Sequence, residues 1–179
     1  MKPLKPFRLR QWRAGQAFGS VRFFTCARPG RTGNEASKSA DVADEVVHRW
    51  VLGLPGPHPA IVSLLGCKPG GPSEFSFYSF YGAFDSPVEH AGQLSFAAWL
   101  ARWHQDLSIL LREHPTWDYR PVPRETCEVV AMDIKRLASS GRNVTLVDSG
   151  GQQRTGQVCA YMSAVEDTSQ VVMHKQPAD

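Results

Sequence analysis

The stretch VTLVDSGGQQRTGQVCAYM, residues 144–162, constrains this chain more than any other. Val144 to Val147 is a short β-branched and aliphatic run of the kind that forms a buried strand. It leads into Asp148, Ser149, Gly150 and Gly151, then Gln152 and Gln153, and at Arg154 and Thr155 an apolar helical pattern begins. A strand, a glycine turn and a helix N-terminus in that order aim successive backbone N–H groups into one concavity. The positive end of the helix dipole adds to the field there, so the concavity suits an anion. The planar fork of Arg154 can grip two oxygens of a phosphate, and Thr155 can cap the helix or bond within the loop. The phosphate-binding residues expected on this reading are Ser149, Gly150, Gly151, Gln152, Gln153, Arg154 and Thr155. The alternative is a tight strand-to-helix turn that carries a surface arginine.

The rest of the chain repeats the alternation of strand and helix. SVRFFTC reads as a strand, ARPGRTGNE as a loop, and ASKSADVADEVVHRWV as a helix with Val42, Val46, Val47 and Trp50 on one side. AIVSLLG is a continuous apolar run typical of a buried strand. EFSFYSFYGAF alternates as a strand or hairpin arm, LSFAAWLARWH is helical, and LSILLREH fits a helix end or a strand. PTWDYRPVP is a proline-bounded loop. RETCEVVAMDIKRLASSG makes a helix with Val129, Val130, Ile134 and Leu137 apolar and Gly141 as its stop. This pattern predicts an α/β fold with a central, mostly parallel sheet flanked by helices. Residues 1–20 form a basic arm read as solvated, 21–168 the domain, and 169–179 a tail.

Composition bounds the function. A chain of 179 residues with 42% hydrophobic and 21% charged residues is an ordinary soluble domain. A net charge of +3 does not argue for nucleic acid, and no apolar run is long enough to span a bilayer. Cys26, Cys67, Cys127 and Cys159 are widely spaced with no CxxC pair, so neither zinc nor a disulfide framework is indicated. The expected setting is the cytoplasm, with no cofactor and no metal.

DSGGQQRTG resembles the signature loop of the protein tyrosine and dual-specificity phosphatases: His-Cys, five residues, then Arg-Thr/Ser-Gly. Gly151, Arg154, Thr155 and Gly156 fall three, six, seven and eight places after the cysteine position, as in that pattern. The lead-in ETCEVVAMDIKRLASSGRNVTLV matches the family's helix and strand. FFTCARPG and AIVSLLG are similar to the first strands of the small dual-specificity enzymes. Two positions depart: Asp148 stands where the nucleophilic cysteine would be, and Val147 where the histidine would be. The chain also stops soon after the loop helix, so a final helix common in the family is expected to be short or missing.

The resemblance implies a dual-specificity-phosphatase-like fold, phosphomonoester hydrolysis as the parent activity, and a phosphorylated substrate or phosphate-bearing ligand as partner. Such chemistry uses a thiolate, an arginine with loop N–H groups on the phosphoryl, and an aspartic acid that protonates the leaving oxygen. Asp118, thirty residues before Asp148, is the expected acid, and Asp85 in GAFDSP is its rival. Either fits an ordinary turn aspartate as well. A second loop, CARPGRTG at 26–33, sets Cys26 before an Arg-Thr-Gly. It has only four intervening residues, and Pro29 removes a donor, so it is not expected to be the active site.

A carboxylate at position 148 is a weaker nucleophile than a thiolate. At ~4 Å and an effective dielectric of ~20 it repels each unit of phosphate charge by about 4 kcal/mol before screening. It can instead accept the loop N–H groups and pair with Arg154 as a built-in anion. Asp148 is therefore expected to disable cysteine-dependent turnover, in a natural pseudophosphatase or an engineered inactive enzyme. The alternatives are a non-catalytic phosphate-recognising or scaffold protein and a carboxylate-nucleophile hydrolase that would call for a metal.

Overall fold

A computed structural model of the chain describes residues 9–12, 23–29, 44–65, 96–117 and 120–167. Five strands and four α-helices make up the described part. In chain order they are β1 (Leu9–Trp12), β2 (Phe23–Ala27), α1 (Asp44–Leu52), β3 (Pro59–Ser63), α2 (Phe96–Trp103), β4 (Leu110–Glu113), α3 (Arg124–Ser139), β5 (Asn143–Asp148) and α4 (Gln153–Asp167). The strands form one sheet in the order β1-β2-β5-β3-β4. β2, β5, β3 and β4 run parallel, and β1 pairs antiparallel with β2 at one edge. The α/β class with a mostly parallel sheet is thus what the chain adopts.

β2 and β3 are buried at every position, and β5 at every position from Val144 on. Continuous apolar runs do this when helices cover both faces of a parallel sheet. One face carries Phe23, Ala60, Val62, Val144 and Leu146, packed on Val130, Ile134 and Leu137 of α3 and Val158 and Met162 of α4. The other carries Cys26, Ile61 and Val147, packed on Val47, Trp50 and Val51 of α1 and Phe96, Trp99 and Leu100 of α2. Neighbouring residues such as Leu146 and Val147 alternate between the faces, as the pleat requires. β5 lies in the interior of the sheet, between β2 and β3.

Several expectations need correction. Residues 9–12, inside the stretch read as a solvated arm, pair with β2 from Leu9↔Cys26 to Trp12↔Phe23. An edge strand needs only one bonded neighbour, so it tolerates the charged composition that suggested a loose arm. Val129, expected in the apolar stripe of α3, is 49% exposed. The buried stripe runs through Cys127, Val130, Ile134 and Leu137, the i, i+3, i+7 spacing of one helix face, and Val129 is rotated off it. The ambiguous LSILLREH starts at the last residue of a short 3-10 turn, Gln105–Leu107, and supplies β4. The aromatic arm EFSFYSFYGAF, Val42, Cys67, Asp85 and Asp118 lie outside the described residues.

α3 ends as its sequence indicates. Gly141 takes a φ of +83°. Its N–H donates to Ala138 O at 2.9 Å and that of Arg142 to Leu137 O at 3.1 Å. Together they close a Schellman turn that feeds directly into β5.

Candidate active site

Parallel strands bring the segments that follow them to one end of the sheet. The backbone N–H of Arg28, after β2, donates to Asp148 O at 3.0 Å. That of Leu64, after β3, donates to Val147 O at 2.8 Å, and that of Thr116, after β4, to Leu64 O at 3.0 Å. The turn from β5 into α4 sits at the centre of this rim.

Asp148 ends β5 and is only 2% exposed. Its Oδ1 accepts the N–H of Gly151, and its Oδ2 accepts the N–H of Thr155 at 2.9 Å. One carboxylate thus takes a donor from the glycine turn and a donor from the first turn of α4. Amides of a helix's first turn have no partner within the helix, and the dipole there favours negative charge. Each bond to an ionised acceptor is worth ~1.5–3 kcal/mol. The capping acceptor is therefore Asp148 rather than the Thr155 hydroxyl, whose Oγ1 is buried with no hydrogen-bond partner among the described residues.

The loop is shaped for this. Gly151 has a φ of +69°, and a methyl group on its α-carbon would lie 2.6 Å from the carbonyl carbon of Cys26. Only glycine supplies both the left-handed conformation and the close approach to β2. Ser149 and Gly151 are buried and Gly150 is half-buried, whereas Gln152 and Gln153 face solvent. The helix begins at Gln153, with the N–H of Gly156 donating to Gln152 O at 3.0 Å.

Arg154 is 1% exposed, so the surface-arginine alternative does not describe it. Its Nη1 donates to Thr116 O at 3.0 Å, to Leu64 O at 3.3 Å and to Thr116 Oγ1 at 3.4 Å. The Thr116 hydroxyl in turn donates to Leu64 O at 2.5 Å. Arg154 is thereby stitched to the segments that follow β3 and β4. No spacing rule links Thr116 and Leu64 to it, so the sequence carries no signal for either.

The thiols near the site are poor nucleophiles. Burial, and then the charge of Asp148, push the Cys26 thiol well above the ordinary cysteine range. The same two causes in the same order push Cys159, on α4, up to about 12. Cys26 packs into the core with Val47, Trp50 and Val51, so the CARPGRTG loop does not present it as an active-site residue. Among the described residues no group of three or more His, Cys, Asp or Glu side chains could hold a metal ion.

No family model and no curated protein matches the sequence. Among solved structures, the chain is similar to the crystal structure of kinase-associated phosphatase with its catalytic-site cysteine substituted by serine. The TM-score is 0.54 and the identity 16%, over 93% of this chain and 80% of that one. At that identity the likeness is one of fold: the chain has a dual-specificity-phosphatase-like architecture. No helix among the described residues is long and apolar enough to cross a membrane.

Proposed function

We propose that this chain is a phosphatase-fold protein whose anion cradle is filled by its own Asp148, so that the parent phosphomonoester hydrolysis is switched off in the sequence as it stands. What supports it above all is the carboxylate's hold on the N–H groups of Gly151 and Thr155, donors that a bound phosphate would need. Arg154 supplies the cationic side of the cradle, and Ser149, Gly150, Gln152 and Gln153 complete the loop around it. Asp118 is the general acid, on a span whose flanks at Thr116 and Val122 are both bonded to α4. The substrate of the parent activity is a phosphate monoester, and the setting is cytoplasmic.

A second reading, phosphate recognition without turnover, is favoured by the complete burial of Arg154, a cost out of place in an idle turn. The deciding experiment measures p-nitrophenyl phosphate hydrolysis by the full chain beside Asp148→Cys. Background activity from the first and measurable turnover from the second is the expected result. Robust turnover by the unmodified chain would favour the carboxylate-nucleophile hydrolase. Phosphopeptide binding with no hydrolysis by either protein would favour the recognition role.

A further inference from the structure

α3 carries apolar side chains on two faces. Cys127, Val130, Ile134 and Leu137 are buried on the inner one. Val129 and Met132 lie on the outer one, 49% and 54% exposed. Glu125 and Arg136, one turn beyond them at either end, are exposed as well. At ~100° per residue these four fall within ~30° of a single line down the helix. Their steps of four, three and four residues are the a/d spacing along which two helices pack.

Along this line the side chains read acid, apolar, apolar, base. The order is centred, since the midpoint of positions 125 and 136 is also the midpoint of 129 and 132. A two-fold axis through that midpoint, perpendicular to α3, lays a second copy of the helix antiparallel on the first. Val129 of each copy then meets Met132 of the other, and Glu125 of each meets Arg136 of the other. A crossing angle of ~20°, usual for such seams, keeps the charged ends within reach. A parallel pairing would set Glu125 against Glu125 and Arg136 against Arg136, so the charges select the antiparallel one.

We propose that the outer face of α3 is a self-association surface on which a second copy of this chain docks antiparallel about a two-fold axis. The proposal is independent of the reading of the cradle. At the flank of the seam Glu128 falls opposite Asp133 of the other copy, a pairing of like charges that limits affinity. Asp133 already has a partner in its own chain, His114, whose Nε2 lies 2.7 Å from Asp133 Oδ2. One helix pair is also small beside the ~1,200 Å² at the lower end of stable interfaces, which makes the dimer a reversible one with a Kd of about 10–100 µM.

Sedimentation equilibrium of the full chain over ~5–500 µM, which brackets that range, should show monomer passing into dimer. Glu125→Arg and Arg136→Glu each place like charges at both ends of the seam, and each alone should weaken association by at least ~10-fold. An equimolar mixture of the two variants should recover it. In the mixed pair the two introduced charges face each other at one end, and the native Glu125 and Arg136 face each other at the other. A folding defect in either variant does not produce that recovery. A chain that stays monomeric over the whole range would overturn the proposal. So would association unchanged by both single variants, or a mixture that associates no more tightly than either variant alone.

Discussion

A side chain on Gly151 would run into the main chain of Ala27, at the point where the turn after β5 crosses the end of β2. The same glycine donates its N–H to Asp148, so one residue fixes both the packing of the turn and the placement of its carboxylate.

Gly151→Ala should therefore be severely destabilising. The left-handed conformation alone costs an L-residue ~1–2 kcal/mol, and contact with backbone rather than with a pliable side chain adds to that. A loss of at least ~2 kcal/mol corresponds to a fall in Tm of roughly 4–8 °C for a chain of this size. Urea denaturation of the two proteins measures it, and equal midpoints would refute the described turn.

Removing the built-in anion should open the cradle. Asp148→Ala is expected to bind inorganic phosphate by calorimetry at least ~10-fold more tightly than the unmodified chain, since repulsion of ~4 kcal/mol per charge pair disappears. In that background Arg154→Ala should weaken binding by ~1.5–3 kcal/mol, about 10–150-fold. Arg154→Lys should rescue little, because an ammonium lacks the fork. Phosphate binding indifferent to Arg154 would show that the arginine serves packing alone.

Alkaline pH should loosen the fold through its buried thiols. The folded-state pKa values of Cys159, about 12, and of Cys26 lie above those of the exposed groups. Their contribution is complete below the unfolded pKa of ~8.5 and is lost as pH climbs toward the folded values. Each thiol steepens the decline by at most ~1.4 kcal/mol per pH unit. Stability followed from pH 8 to 11 should fall less steeply in Cys159→Ala than in the unmodified chain, whatever their absolute difference.

Acid should act at a different place. His48 Nδ1 and His104 Nε2 lie 2.9 Å apart, joining α1 to the residue that follows α2, beside Trp99. Burial, and then the neighbouring His48, lower the His104 pKa, with Asp106 opposing them. A lowered histidine pKa gives stability that is present above the unfolded value of ~6.5 and lost as pH falls through the folded one. Denaturation midpoints between pH 7.5 and 5 should decline, and His104→Gln should flatten the decline. An unchanged slope would mean that the pair carries no such linkage.

The sheet's centre was legible because residues 144–147 are β-branched or aliphatic at four successive positions, as suits a strand covered on both faces. The helix that leads to it was legible from Val130, Ile134, Leu137 and the Gly141 stop. β1 was not, because Leu9–Trp12 is recognised only by the register it shares with β2, and its basic surroundings point to solvent. The loop's spacing pointed to Asp148, Gly151 and Arg154. It was silent on the contacts that surround them, since Thr116 and Gln157 meet their partners across sequence separations of 38 and 35 residues. The capping role of Asp148 was open to a reader of the sequence, who could see a strand-end carboxylate facing a helix start.

The placement of β5 also bears on how the molecule comes to exist. β2 and β3 are not neighbours; each pairs with β5, and the Phe23↔Val144 partners are more than a hundred residues apart in sequence. Contacts of such separation form slowly, because closing the intervening chain costs entropy before any pairing returns it. During synthesis the earlier strands must wait for the last one, with two bonding edges open between them. The strand that completes the sheet is the same strand that ends in Asp148. Maturation of the fold and assembly of the cradle are consequently a single late event, and a chain cut before residue 143 would hold neither.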